Sequence, residues 1–155
     1  MTHPNADLID RFYTAFAERD AETMAACYAP GVRFSDPVFT DLRGNAAGGM
    51  WRMLCEQGKD LRIEHSEVRC DDETGVAHWE AWYTFSATGK KVHNVIDARF
   101  RFEDGLIVEH ADTFGFYRWS RQALGVPGLL LGWTPFLQNQ VRKRAGKQLD
   151  RYLAK

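Results

Sequence analysis

The chain has little cysteine, no long apolar run and almost no net charge, and each shortage closes off a class of protein. Its 155 residues include three cysteines, Cys27, Cys55 and Cys70. They are odd in number, lie in apolar surroundings and have no Cys-x-x-Cys spacing, which argues against a disulfide framework and a structural zinc site and for reduced, packed thiols. No stretch reaches the roughly 18 apolar residues of a membrane span, and the start, MTHPNADLIDRF, lacks the basic, then apolar, then small-residue order of a secretory leader. A soluble, cytoplasmic protein is expected. The glycines of RGNAAGGM lack the Lys-Ser/Thr of a phosphate loop, and no Ser-His-Asp or nucleophilic-cysteine arrangement is recognisable. His110 and Asp112 alone do not make a metal site, so we expect neither metal nor cofactor.

The net charge of -1 conceals an asymmetry: Arg118 through Lys155 carry eight Arg or Lys against the single acid Asp150. A block of like charge would suggest nucleic acid, but this tail is one amphipathic face, so we expect no nucleic acid and a helix docked on an acidic body or a partner subunit, most simply in a homodimer. The segment GLLLGWTPFL before QVRKRAGKQLDRYLAK also has the Trp, Leu, Arg and Lys of a helix lying on a membrane surface. That is the lesser reading here; capping the body or joining a dimer is preferred.

What is present is a core. With 45% hydrophobic and 13% aromatic residues, the chain fits one globular domain. Residues 6–18 and 20–27 have helical spacing, Val32, Phe34, Asp36 and Val38 alternate as one face of a strand, and AAGGMWRMLCEQG suggests a third helix whose glycine pair lets another segment come close. From Leu61 four strand-like runs follow, LRIEHSEVRC, VAHWEAWYTFSATG, KVHNVIDARFRFEDG and LIVEHADTFGFY, joined by turn signals at Asp71–Gly75, Gly89-Lys90 and Asp104-Gly105. The inward side of the third run is undecided. In the fourth, Leu106, Val108, His110, Asp112, Phe114 and Phe116 share a face. After a short helical stretch and a break at Gly125–Gly128, a final amphipathic helix carries the stripe Leu130, Trp133, Leu137, Val141, Leu149 and Tyr152. Helices first and a long antiparallel meander afterwards give an α+β class, with residues 1–117 as the domain and 118–155 as a basic helical extension.

Three aspartates fall on apolar faces of strand-like runs: Asp36 in VRFSDPV, Asp97 in HNVIDARFRF and Asp112 in LIVEHADTFGF. A carboxylate among core positions loses solvation, so it must be paired, hydrogen-bonded or protonated, and it becomes a candidate proton carrier. The plainer account is that Asp36 caps a turn before Pro37, Asp97 pairs with Arg99 or Arg101, and His110 is a satisfied core histidine beside Asp112. Phe16, Phe34, Trp79, Tyr83, Phe85 and Phe114 could line a cavity for a flat apolar ligand.

The order of elements over about residues 6–117 resembles the NTF2-like superfamily, and within it the ketosteroid isomerases and SnoaL-like proteins. The resemblance implies a cone, with a curved sheet wrapped around N-terminal helices and an internal hydrophobic pocket. YAPGVRFSDPVFTDLRG is similar to the isomerase segment whose "-DPV-" aspartate is the general base, which would be Asp36. VIDARFRFEDGLIVEH is similar to the segment whose "-ID-" aspartate donates a hydrogen bond to the substrate oxyanion, which would be Asp97. Counting back from Asp20 puts Phe12 at the family's tyrosine position, with Tyr13 about 100° around the helix; Tyr28 or Tyr83 could donate from elsewhere. The Arg-x-Asp of limonene-epoxide-hydrolase-like members is missing from HWEAWYTFS, and only Asp112 matches their last catalytic aspartate. SnoaL-like polyketide cyclases pair an aspartate with a histidine, a role open to Asp112 with His110 or His93. The implied function is a cofactor-independent acid/base enzyme moving a proton alpha to a carbonyl of a small hydrophobic substrate, with Asp36, Asp97 and Asp112 catalytic and Phe12, Phe16, Tyr28, Phe34, Tyr83, Phe85, His110 and Phe114 around the substrate. The alternatives are a SnoaL-like cyclase or a non-catalytic module that binds an apolar ligand or a protein partner.

Overall fold

A computed structural model describes residues 3–155. Helix α1, Pro4–Ala17, begins where proline's fixed φ suits a first turn and the His3 ring accepts from the Asn5 amide at 3.0 Å. Its apolar positions, Leu8, Ile9, Phe12, Tyr13 and Phe16, are all buried. Asp20 caps α2, Ala21–Ala26, by accepting from the Thr23 amide. Strand β1, Tyr28–Ser35, starts earlier and ends sooner than the alternation predicts. Pro37 cannot donate to a ladder, and the backbone turns so that the Asp36 amide bonds the Phe39 carbonyl at 2.8 Å. The short β2, Leu42–Arg43, leads to Gly44, whose positive φ of 57° suits glycine, and into α3, Asn45–Gln57.

Strands β3 (Arg62–Cys70), β4 (Thr74–Phe85), β5 (Lys90–Glu103) and β6 (Leu106–Thr113) form the expected meander. Asp104 and Gly105, with φ of 52° and 75°, supply the paired positive angles of a tight hairpin between β5 and β6. The six strands run in the order β2-β1-β6-β5-β4-β3, every neighbouring pair antiparallel except β1 with β6. Register shifts in β1, β3 and β6 bend this sheet around α1 and α3. Ala77, Trp79 and Ala81 of β4 and Ile96, Ala98, Phe100 and Phe102 of β5 line the buried concave face.

Two details of patterning come out differently. On β6 the residue buried next to His110 and Asp112 is Ile107, not Leu106 or Val108. An extra residue separates the pairing Phe102–Ile107 from Arg101–Glu109, and that bulge exchanges the faces. After β6 come α4 (Phe116–Leu124), α5 (Val126–Leu131) and α6 (Pro135–Leu153). The expected apolar stripe divides here: Leu149 is buried and Val141 and Tyr152 are half-buried, whereas Leu130 and Trp133 are exposed. Thr134 caps a new helix at Pro135, so residues 130–133 do not share its phase. Gly49 of α3 allows the close approach its sequence suggests: a Cβ there would collide with Leu153 of α6.

Candidate active site

Parallel pairing places two aspartates side by side. Phe34 lies opposite His110 and Ser35 opposite Ala111; Asp36 and Asp112 directly follow these paired residues, near enough that the Asp112 charge acts on the Asp36 carboxyl. Alternation then puts Phe34, Asp36, His110 and Asp112 toward the same interior.

Asp112 and His110 are completely enclosed, their side chains 2% and 0% exposed. His110 Nε2 meets Asp112 Oδ1 at 2.9 Å, and Trp79 Nε1 donates to the same oxygen at 3.4 Å. The other ring nitrogen, Nδ1, lies 2.8 Å from the Tyr28 hydroxyl, to which Trp51 Nε1 donates at 2.8 Å. The direction of this chain follows from its ends. An indole can only donate, so Tyr28 oxygen accepts from Trp51; a neutral imidazole that donates from Nε2 to the Asp112 carboxylate leaves Nδ1 to accept the phenol hydrogen of Tyr28. Aromatic rings close around it, Phe100 at 4.4 Å and Phe34 at 4.9 Å from the imidazole centroid, Phe12 at 5.6 Å, and Trp51 stacked at 6.1 Å.

Asp36 sits at the edge of this enclosure, half-buried. Its Oδ1 accepts from the amides of Val38 at 2.7 Å and Phe39 at 2.6 Å, the turn cap that the plainer account foresaw. Burial nonetheless pushes its pKa from 3.8 to about 7; the two amide bonds pull it down and the nearby Asp112 carboxylate adds to the rise. Both bonds fall on Oδ1, leaving Oδ2 outside them.

Two phenols lie within electrostatic reach of the carboxylates, Tyr83 of Asp36 and Tyr13 of Asp112. Tyr83 accepts from Trp119 Nε1 at 2.9 Å, and burial followed by the charge of Asp36 pushes its pKa up to about 12. Tyr13 is fully buried and its hydroxyl has no hydrogen-bond partner among the described residues. Burial first, then Asp112 and Tyr28, push its pKa well above the usual tyrosine range. Tyr13 also stacks on His65 and packs against Trp79. An orphaned hydroxyl in a packed interior costs about 1–3 kcal/mol, and it was the adjacent Phe12 that sequence reasoning set at the tyrosine position. The signal that could have found Tyr13 is the width of an amphipathic stripe, which covers 100° or more and admits both neighbours.

Asp97 is elsewhere. Its side chain is 76% exposed on the outer face of β5, where Oδ1 meets His78 Nδ1 at 3.0 Å. Ile96 and Ala98 take the inner face, so the oxyanion-donor role that the resemblance implies has no support from this position; of the arginines expected as partners, Arg101 pairs instead with Glu103 and Glu109. His93 lies outward as well, bonded to Glu80 at 2.7 Å and stacked on Trp82, which leaves His110 as the histidine beside Asp112. Phe12, Phe16, Phe34 and Tyr28 are buried in the central cluster; Tyr83, Phe85 and Phe114 are half-buried where that cluster meets α4 and Val141 of α6. Arg142 of α6 donates to the Pro37 carbonyl at 2.9 Å and so ties the last helix to the Asp36 turn. Among the described residues no group of three or more His, Cys, Asp or Glu is placed to hold a metal ion. Burial raises the Cys55 and Cys70 thiols to about 11, far from a reactive thiolate.

Residues 9–110 match the SnoaL-like domain. The chain belongs to that family. Its fold is that of NTF2-like proteins of known structure. An NTF2-like protein of unknown function from Burkholderia pseudomallei superposes with a TM-score of 0.68 at 21% identity, covering 78% of this chain and 98% of its own. IdmH of Streptomyces antibioticus, a proposed polyketide cyclase, gives 0.66 at 23%, covering 80% and 100%. An LEH-like epoxide hydrolase of M. tuberculosis gives 0.63 at 18%, covering 83% and 96%. No curated protein matches the chain. Identities this low establish a shared fold, and a SnoaL-like fold hosts more than one chemistry.

Proposed function

We propose that this SnoaL-like protein is a cofactor-independent acid/base enzyme that removes a proton from carbon alpha to a carbonyl of a small hydrophobic substrate, with Asp36 as the base. The observation that carries this reading is the half-buried Asp36 carboxyl, raised to about 7 beside the buried Asp112. A base whose pKa lies near neutrality combines a useful ionised fraction with a strong pull on the proton. The C–H bond breaks, the proton moves to an Asp36 oxygen, and the electron pair passes into the enolate. A phenol hydrogen bond to the enolate oxygen stabilises it, and Tyr83, whose hydroxyl feels the charge of Asp36, is the candidate donor. The Tyr28–His110–Asp112 chain holds the second carboxylate in place. Reprotonation at another carbon gives an isomerisation; attack of the enolate on a second carbonyl gives an aldol ring closure. The buried His110–Asp112 pair favours ring closure of a polyketide-like substrate, the class named for IdmH.

The test is deuterium incorporation alpha to the carbonyl of apolar ketones, followed by NMR in D2O. Wild type should exchange, at a rate that rises through pH about 7 as the Asp36 carboxyl ionises. Asp36→Asn should lose about a hundredfold or more. Exchange undiminished in Asp36→Asn overturns the assignment. Phe12 supports a binding-only reading, because its ring covers Tyr28 and His110 from the α1 side. An apolar ligand seen in native mass spectrometry, with no exchange of any ketone by wild type, would establish that reading instead.

A further inference from the structure

Helix α5 docks in reverse. Gly128 and Gly132, four residues apart, are buried, and a Cβ at Gly128 would collide with the Ser120 carbonyl of α4, one at Gly132 with the Ser120 hydroxyl. The Tyr117 hydroxyl donates to the Leu129 carbonyl at 2.7 Å and pins the contact. Because the glycine face is spent on α4, the apolar side chains point outward. Val126, Leu129, Leu130 and Leu131 are exposed, Leu130 at 62%, and they continue into Trp133 at 68% and Phe136 at 67%. Scattered exposed leucines are ordinary; six large apolar side chains within eleven residues are a patch.

The charges carried by the segment that bears this patch are of one sign. No acidic residue occurs between Asp112 and Asp150. On α6, at 100° per residue, Phe136, Lys143 and Lys147 fall on one line opposite the buried Leu149 and half-buried Ala145, and both lysines are exposed. Arg118 and Arg121 are exposed on α4, the helix α5 packs against. Lys90 Nζ lies 3.2 Å from where a Cβ of Gly125 would stand, at the start of α5. Exposed Trp, Phe and Leu inside a rim of Lys and Arg match the two layers of an anionic lipid surface, acyl chains below and phosphates above. No helix of the described residues is long and apolar enough to cross a membrane, so the contact is with the surface.

We infer that α5 and the outward face of α6 form a docking surface for an anionic membrane, with Trp133 and Phe136 inserted at the headgroup boundary and Lys143 and Lys147 on the phosphates. Leu149 packs into the main core, whereas the side chains of this patch do not pack on the body.

Sedimentation of the full-length protein with vesicles tests it, using phosphatidylcholine alone and phosphatidylcholine with about one third phosphatidylserine. Binding should require phosphatidylserine and fall as salt is raised toward about 0.5 M. Trp133→Ala/Phe136→Ala and Lys143→Glu/Lys147→Glu should each bind about tenfold more weakly or worse, with thermal unfolding unchanged because all four side chains are exposed. Absence of binding at low salt, equal binding to neutral vesicles, or wild-type binding by either double variant overturns the inference. So does a wild-type dimer that Trp133→Ala/Phe136→Ala splits while vesicles are ignored, since the patch then serves a second copy of the chain.

Discussion

Asp36 binds two amides and is still held protonated to about neutral pH, and this has a cost measurable away from any substrate. In the unfolded chain the carboxyl releases its proton near pH 3.8; in the folded protein it keeps it to about 7. Over that window the native state binds more protons than the unfolded one, so this group lowers stability as pH rises and its cost is complete above pH about 7. With a half-buried group the full cost of that rise is discounted to on the order of 2 kcal/mol. Asp36→Asn keeps an acceptor for the Val38 and Phe39 amides and removes the charge. Urea denaturation from pH 4 to 8 should therefore give the variant a growing advantage over wild type, reaching about 2 kcal/mol and levelling near pH 8. Parallel curves would mean that the carboxyl ionises normally. At this scale the sequence was readable where a local rule applied: Asp36 is marked by its DPV turn, and His110 and Asp112 by their spacing on an apolar strand. Asp97 was not, because His93, Val95, Asp97, Arg99 and Arg101 are as consistent with one side of β5 as with the other.

Among the elements, α5 departs furthest from its sequence pattern. A run such as Leu129–Leu131 normally turns inward, yet the paired glycines approach Ser120, Gly128 its backbone and Gly132 its side chain, more closely than any leucine face can. Gly128→Ala should force the helix off α4, with a loss of about 1–3 kcal/mol and faster amide exchange in residues 126–131. Gly146→Ala is the control: a Cβ there meets nothing within 4 Å, and removing a mid-helix glycine from α6 should raise stability by up to about 1 kcal/mol. If both behave alike, the α4–α5 contact is looser than its geometry. The bulge at Val108 is a similar case, since an added residue exchanges faces without altering the alternation that a sequence displays.

Across the whole molecule, the last helix of the basic tail sets one buried side chain into the acidic body. Leu149 is 2% exposed and belongs to the main core cluster, with Ala145 and Tyr152 packed beside it. Leu149→Ala should cost about 2–5 kcal/mol in urea denaturation, and a cost well under 1 kcal/mol would make α6 an appendage on the cone. The sequence by itself determined the α+β order, the four long strands, the base candidate and the SnoaL-like resemblance, because periodicity, turn chemistry and short motifs are local properties. Only the tertiary structure decided which aspartates meet. Asp36 and Asp112 are 76 residues apart and become neighbours through the one parallel pairing in the sheet, while β5 turns Asp97 outward; register between distant strands is set by packing of the whole core, which no local pattern encodes.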